Sequence, residues 1–295
     1  MKKENILVTG GAGFIGSNLI KELLNNYKFK KIISIDNYST GKRKNHIKSK
    51  KVEYLRLDCK NLLKNKKILN FKPKYIFHFG EFSRVVPSFN LVYNCIENNI
   101  SGTYNVIKYA LKKNSKLIYS ASSMSIGDKR NENLSAYAWS KAKNFELIRN
   151  FGDWYNLNYS SVCFFNVFGE KQISKGYMAS VIGIFERQYK SKNPLTIVRP
   201  GSQKRDFTHV KDAVNGAILA ALKGKKKMYF IGSGKAHSII NIAKKFKTKI
   251  KYIPQRPGEK FTGIANLNLS MKELGYKPRY NLEEYLSKHI LKSNI

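Results

Sequence analysis

A strand-like run, Asn5-Ile6-Leu7-Val8-Thr9, passes directly into Gly10-Gly11-Ala12-Gly13-Phe14-Ile15-Gly16 and then into an amphipathic segment reaching Asn26. A glycine at Gly10 permits the tight turn, Gly13 lets backbone amides approach a pyrophosphate, and Gly16 lets the helix lie close to the strand. The helix N-terminus then turns its partial positive charge toward phosphate groups. A second apolar run ends at Asp36, 20 positions after Gly16 (36 − 16). A carboxylate there accepts hydrogen bonds from adenosine ribose hydroxyls and repels a 2′-phosphate, so the expected cofactor is NAD, with Phe14, Ile15 and Asn37 flanking the contact.

The rest of the chain is compatible with such a fold. Of its 295 residues, 42% are hydrophobic and 13% aromatic, enough for a substantial core. No stretch approaches the roughly 20 apolar residues needed to cross a bilayer, so no membrane partner is expected. Cys59, Cys95 and Cys163 are scattered and form no CxxC pair. No disulfide framework and no metal site follow from them, and a reducing cytoplasm is the expected location. The formal charge of +36 suits polyanion binding. The lysines, however, are spread through every part of the chain rather than gathered in one stripe. No nucleic-acid partner is therefore expected, although part of the charge suits an anionic substrate.

Short β-branched runs at Asn5–Thr9, Lys31–Asp36, Val52–Leu57, Tyr75–Phe79, Lys116–Ala121 and Tyr159–Phe165 alternate with helical patterns at Phe14–Asn26, Asn90–Lys112 and Ala136–Tyr155. That alternation predicts an α/β fold, a Rossmann-type doubly wound parallel sheet. Beyond about Asn166 the pattern loosens, with helical segments at Met178–Tyr189, Val210–Leu222, Ile239–Phe246 and Leu282–Leu291. The expected division is an NAD-binding domain over residues 1–165, with 200–225 returning to it, and a smaller C-terminal substrate-binding lobe over most of 166–295.

Tyr137-Ala138-Trp139-Ser140-Lys141 places a phenol and an ammonium at i,i+4 on one helix face. A phenol with a pKa near 10 costs about 4 kcal/mol to ionise at pH 7, and nearby cations reduce that cost. Upstream, Ser120-Ala121-Ser122-Ser123-Met124 ends the fifth strand, where a hydroxyl can polarise a reacting oxygen. The predicted catalytic set is Ser122, Tyr137 and Lys141, with Ser123 also near the substrate.

In the order of these landmarks the chain resembles the extended short-chain dehydrogenase/reductase family of sugar-nucleotide epimerases and dehydratases, from about Asn5 to Leu286. The resemblance implies adenine contacts from Asp58 and Cys59, cofactor contacts from Phe79, Gly80 and Asn99, and a hold on the nicotinamide ribose by Lys141 beside Tyr137. It also implies contacts to a nucleotide-diphosphate sugar from Asn166, from Arg205 in Arg205-Asp206-Phe207-Thr208-His209-Val210, and from Arg256 and Glu259 in Arg256-Pro257-Gly258-Glu259. Two positions depart from the pattern. Glu81 stands where the family usually carries a small residue beside the cofactor, and Cys163 replaces a common arginine. The segment from Gly127 to Tyr137 is also short.

Dehydratases of that family need an Asp-Glu pair after the catalytic hydroxyl, the related decarboxylases keep the glutamate, and GDP-fucose synthases use a cysteine. Here Ser123 and Met124 occupy those places, and a thioether exchanges no protons. The resemblance therefore implies a 4-epimerase working through a 4-keto sugar, on UDP-Glc/Gal or, because Gly263 is small, on UDP-GlcNAc/GalNAc. Such enzymes commonly serve cell-surface polysaccharide biosynthesis. A 4-ketoreductase and an RNA-binding relative are the alternatives; the intact serine, tyrosine and lysine argue against the second. The two long helices Asn90–Lys112 and Ala136–Tyr155 match those that form a four-helix bundle in dimeric relatives.

Overall fold

The structure, a computed structural model, describes residues 4–125, 133–258 and 262–291. Seven parallel strands form the central sheet: β1 (Asn5–Thr9), β2 (Lys31–Asp36), β3 (Val52–Arg56), β4 (Tyr75–His78), β5 (Lys116–Ser122), β6 (Tyr159–Phe164) and β9 (Met228–Ile231). Their spatial order is β3-β2-β1-β4-β5-β6-β9. The order reverses beside β1, and in doubly wound sheets a crevice for ligand opens at such a switch point.

Alternation along the strands assigns each side chain to a face. Ile6 and Val8 of β1 pack against α1 (Phe14–Asn26) through Leu19, Ile20 and Leu23, and against the helix Val210–Lys223. Leu7, between them, points to the other face, onto Val106, Ile107 and Tyr109 of the helix Gly102–Lys113 and Ile148 of the helix Ala136–Trp154. Helices thus cover both faces, as a continuously apolar parallel strand requires.

A third apolar cluster, with Phe168, Phe185, Leu195, Phe207, Phe246 and Leu286, forms the core of the smaller lobe. Four short strands there escaped the sequence reading: β7 (Leu195–Val198), β8 (Lys204–Asp206), β10 (Ala236–Ser238) and β11 (Ile250–Ile253). With the two-residue β12 (Thr262–Gly263) they make a three-stranded and a two-stranded sheet. Asp206 fastens this region. Fully buried, it accepts from Ser233 N at 2.8 Å, Ser233 Oγ at 2.6 Å, Gly234 N at 2.9 Å and Ala265 N at 3.2 Å.

Three sequence expectations are corrected. Met228–Ile231, for which the sequence reading names no strand, is the edge strand of the central sheet, paired with β6. The helix expected over Asn90–Lys112 runs as an α segment Val92–Ile96, a π segment Glu97–Ser101 and then Gly102–Lys113. The wider turn lies where Asn99 leaves the helix pattern to grip the Phe82 backbone. The helix expected from Met178 begins at Val181, because Ser180 caps it by accepting from Gly183 N.

His78, at the end of β4, is fully buried. Its Nδ1 lies 2.7 Å from Thr9 Oγ1 and its Nε2 lies 2.9 Å from Thr103 Oγ1. Thr103 gives its own proton to Glu81, so the imidazole must carry its hydrogen on Nε2 and accept from Thr9. Burial pushes its pKa down to about 4. Between pH 6.5 and about 4 the unfolded chain then binds the extra proton, so stability falls as pH falls through that window, by about 3 kcal/mol from this group. Urea denaturation at pH 7 and pH 4.5 is expected to show that loss in the wild type and a smaller one in His78→Asn.

Candidate active site

One cavity of about 730 Å³ opens along the carboxyl ends of the central strands, between the sheet and the smaller lobe. Its floor is the glycine turn. Gly10 has φ +70°, and a Cβ there would lie 2.8 Å from Gly80 N and from the Phe79 carbonyl. A Cβ on Gly16 would lie 2.3 Å from the Gly10 oxygen. On Gly13 it would touch only the Gly10 oxygen, at 3.1 Å, and otherwise fill space above the helix N-terminus. The turn is therefore closed toward the protein and open toward the cavity. That shape fits a pyrophosphate lying on backbone amides at a helix end.

Asp36, at the end of β2, is 8% exposed, and its Oδ2 accepts from Ala12 N at 3.0 Å while its Oδ1 accepts from Tyr38 N at 2.8 Å. Each oxygen keeps a second lone pair for a ribose hydroxyl. Asp58 sits beside it, accepting from Asn37 Nδ2 at 2.8 Å and from Lys60 N at 2.9 Å. Phe14, Ile15, Cys59, Phe79 and Gly80 also line the cavity.

Asn99 does not. It is fully buried, accepts from Phe82 N at 2.7 Å and donates to the Phe82 carbonyl at 3.2 Å and to Ser140 Oγ at 2.9 Å. The sequence reading placed it against the cofactor; the structure makes it a brace for the loop after β4.

On the opposite wall, Ser135 caps the helix Ala136–Trp154 by accepting from Ala138 N at 3.1 Å. The cap fixes the first turn, so Tyr137 and Lys141 face the cavity together, 8% and 3% exposed. Lys141 Nζ donates to the Ser120 carbonyl at 2.6 Å and forms an ion pair with Glu81. Ser122, at the last position of β5, lines the same cavity and accepts from Met124 N at 3.2 Å. Ser123 stands next to it.

From the smaller lobe come Asn166, which donates to the Asp206 carbonyl at 2.8 Å, and the arginines Arg205 and Arg256. Glu259 and much of the short Gly127–Tyr137 segment lie outside the described residues. One wall residue was missed from sequence. Arg84 donates from Nε to the Met178 carbonyl at 2.9 Å and from Nη1 to the Ser83 carbonyl at 2.9 Å, and burial holds its pKa below the usual guanidinium range. Nothing in the sequence around it marked it; only its place in the fold does.

Together these features make a Rossmann-type cleft with a glycine-turn floor, a wall carrying Tyr137 and Lys141, and arginines from the smaller lobe. A sequence model of the NAD dependent epimerase/dehydratase family matches residues 6–232, and the chain belongs to that family. It is 34% identical over 300 residues to a putative UDP-glucose 4-epimerase of Methanocaldococcus jannaschii, covering 95% of both chains. Among solved structures it resembles a UDP-glucose 4-epimerase from Thermotoga maritima with UDP-glucose (27% identity, TM-score 0.89, 97% of each chain). It also resembles a UDP-N-acetylglucosamine 4-epimerase from Methanobrevibacter ruminantium in complex with UDP-N-acetylmuramic acid (28% identity, TM-score 0.88, 100% of each chain). The protein is an NAD-dependent enzyme of the extended short-chain dehydrogenase/reductase type.

Proposed function

We propose that the protein is a nucleotide-sugar 4-epimerase. The observation that carries the reading is the convergence of Tyr137, Lys141 and Ser122 on one cavity in which the positions after the serine hold no proton-exchanging acid or base. Tyr137 takes the proton from the sugar hydroxyl and later returns it. Ser122 donates a hydrogen bond to the same oxygen as it becomes a carbonyl, and so lowers the barrier for both directions. NAD, when held on the glycine turn and Asp36, would supply reversible hydride acceptance, so no redox partner would be consumed. Lys141, held on the Ser120 carbonyl, orients the nicotinamide ribose.

Arg205 and Arg256 offer guanidinium forks to the diphosphate. Arg205→Ala is expected to raise KM for the nucleotide sugar by about tenfold or more and to leave kcat within a fewfold, because a diphosphate contact binds ground and transition states alike. Steady-state kinetics with UDP-glucose and UDP-GlcNAc test this. The choice between those two sugars rests on Gly263, which pairs with Arg205 in the small sheet and whose Cβ position opens on empty space. Turnover of UDP-glucose alone would exclude the N-acetyl reading.

A homodimer fits the surface. Val92, Tyr93, Tyr104 and Trp154, on the two helices named from sequence, are 49%, 72%, 41% and 62% exposed. Exposed apolar groups on these two helices suit burial against the same helices of a second copy. Sedimentation of the wild type and of Tyr93→Glu/Trp154→Glu would separate dimer from monomer.

A further inference from the structure

Glu81 brings a carboxylate into the site that the proposed reaction does not use. Its side chain is 1% exposed and that of Lys141 4% exposed, and Glu81 Oε2 is paired with Lys141 Nζ. Glu81 Oε1 accepts from Asn144 Nδ2 at 2.9 Å, Thr103 Oγ1 at 3.1 Å and Tyr119 Oη at 3.2 Å. Donors thus reach it from β5, from the helix Gly102–Lys113 and, twice, from the helix that carries Tyr137. All of them give protons to Glu81, so it acts here only as an acceptor.

The groups packed around this pair leave its charges unbalanced by little else. His78 is neutral with a pKa near 4, the Cys59 thiol is pushed up to about 12, and burial raises Cys95 and Tyr119 as well. Glu81 is then the anion facing Tyr137's surroundings, and Lys141 and Arg84 are the cations. An ammonium alone, one helical turn from a phenol, stabilises phenolate through a potential that falls as 1/r. An ammonium in contact with a carboxylate presents a dipole, whose potential falls faster.

We propose that Glu81 is a positioning residue that sets the charge Tyr137 experiences: it pins Lys141 against the Ser120 carbonyl and cancels most of its ammonium field. Lys141 then serves chiefly to hold the nicotinamide ribose, and the phenol ionises at a higher pH than an unpaired Lys141 would give. The inference deepens the epimerase reading by giving Glu81 a role in it, but its test needs no turnover.

The test is a near-ultraviolet absorbance titration of tyrosinate in the full-length protein, taken as the difference between each background and the same background carrying Tyr137→Phe. Glu81→Gln keeps the size and one acceptor oxygen and removes the charge. It is expected to lower the Tyr137 midpoint by about one pH unit, a tenfold gain in phenolate at a given pH. Glu81→Ala, which restores a small residue, is expected to shift it the same way, so either variant suffices if the other fails to fold. A midpoint unmoved in a variant with wild-type melting overturns the proposal. A protein that titrates as expected yet converts no nucleotide sugar leaves the role of Glu81 standing and removes the epimerase reading.

Discussion

Tyr137→Phe is expected to lower kcat about 10³-fold while leaving the melting temperature nearly unchanged. Proton transfer by a positioned side chain contributes roughly 10²- to 10⁴-fold, and here one phenol is asked both to take and to return the proton. Among the described residues its hydroxyl has no hydrogen-bond partner, whereas its backbone N–H donates to Ser88 Oγ at 3.3 Å. Phenylalanine keeps the ring, the helix and that backbone contact, so the loss falls on chemistry. Paired measurement of kcat and thermal melting checks it. A tenfold loss or less would mean that another group moves the proton.

Gly16→Ala is expected to cost about 2–3 kcal/mol and to abolish retention of NAD. The added carbon would stand 2.3 Å from the Gly10 oxygen and 2.8 Å from the Gly11 Cα, and both obstacles are backbone that no rotamer change relieves. Opening the turn to make room moves the amides that face the pyrophosphate, so stability and binding fail together. Gly263→Ala is the control, since its added carbon meets nothing within 4 Å and is expected to change stability by less than about 0.5 kcal/mol. Urea denaturation and the dinucleotide content of the purified protein distinguish the two variants.

The first half of the fold was legible because its strands are long and apolar and its first turn demands glycine. β1, β2 and α1 have the bounds expected from sequence, and β3, β4, β5 and β6 each differ by a residue at one end. The smaller lobe was not legible, because its strands are three or four residues long, too short to show a period. β9 gave a usable signal in Met228-Tyr229-Phe230-Ile231, a short apolar run between Lys227 and Gly232, which its neighbouring lysines masked.

The site shows the same division. The glycines of the first turn, and Tyr137 with Lys141 on their helix, stand at fixed offsets within single elements, so local spacing reports which of them share a wall. Asn99 also has a fixed offset, but a π turn and the Phe82 backbone redirect it away from the cavity. Glu81 and Arg84 depend on how a loop folds against a distant helix, and no spacing rule reports that.

The central claim is that hydride leaves and returns to the same sugar carbon, with Tyr137 handling the proton. Proton NMR of the purified protein with UDP-glucose or UDP-GlcNAc, without added cofactor, tests it most directly. The expected result is conversion to the mixture of C4 epimers with no build-up of reduced nicotinamide. Consumption of nicotinamide in proportion to product, or loss of water from the sugar, would contradict it.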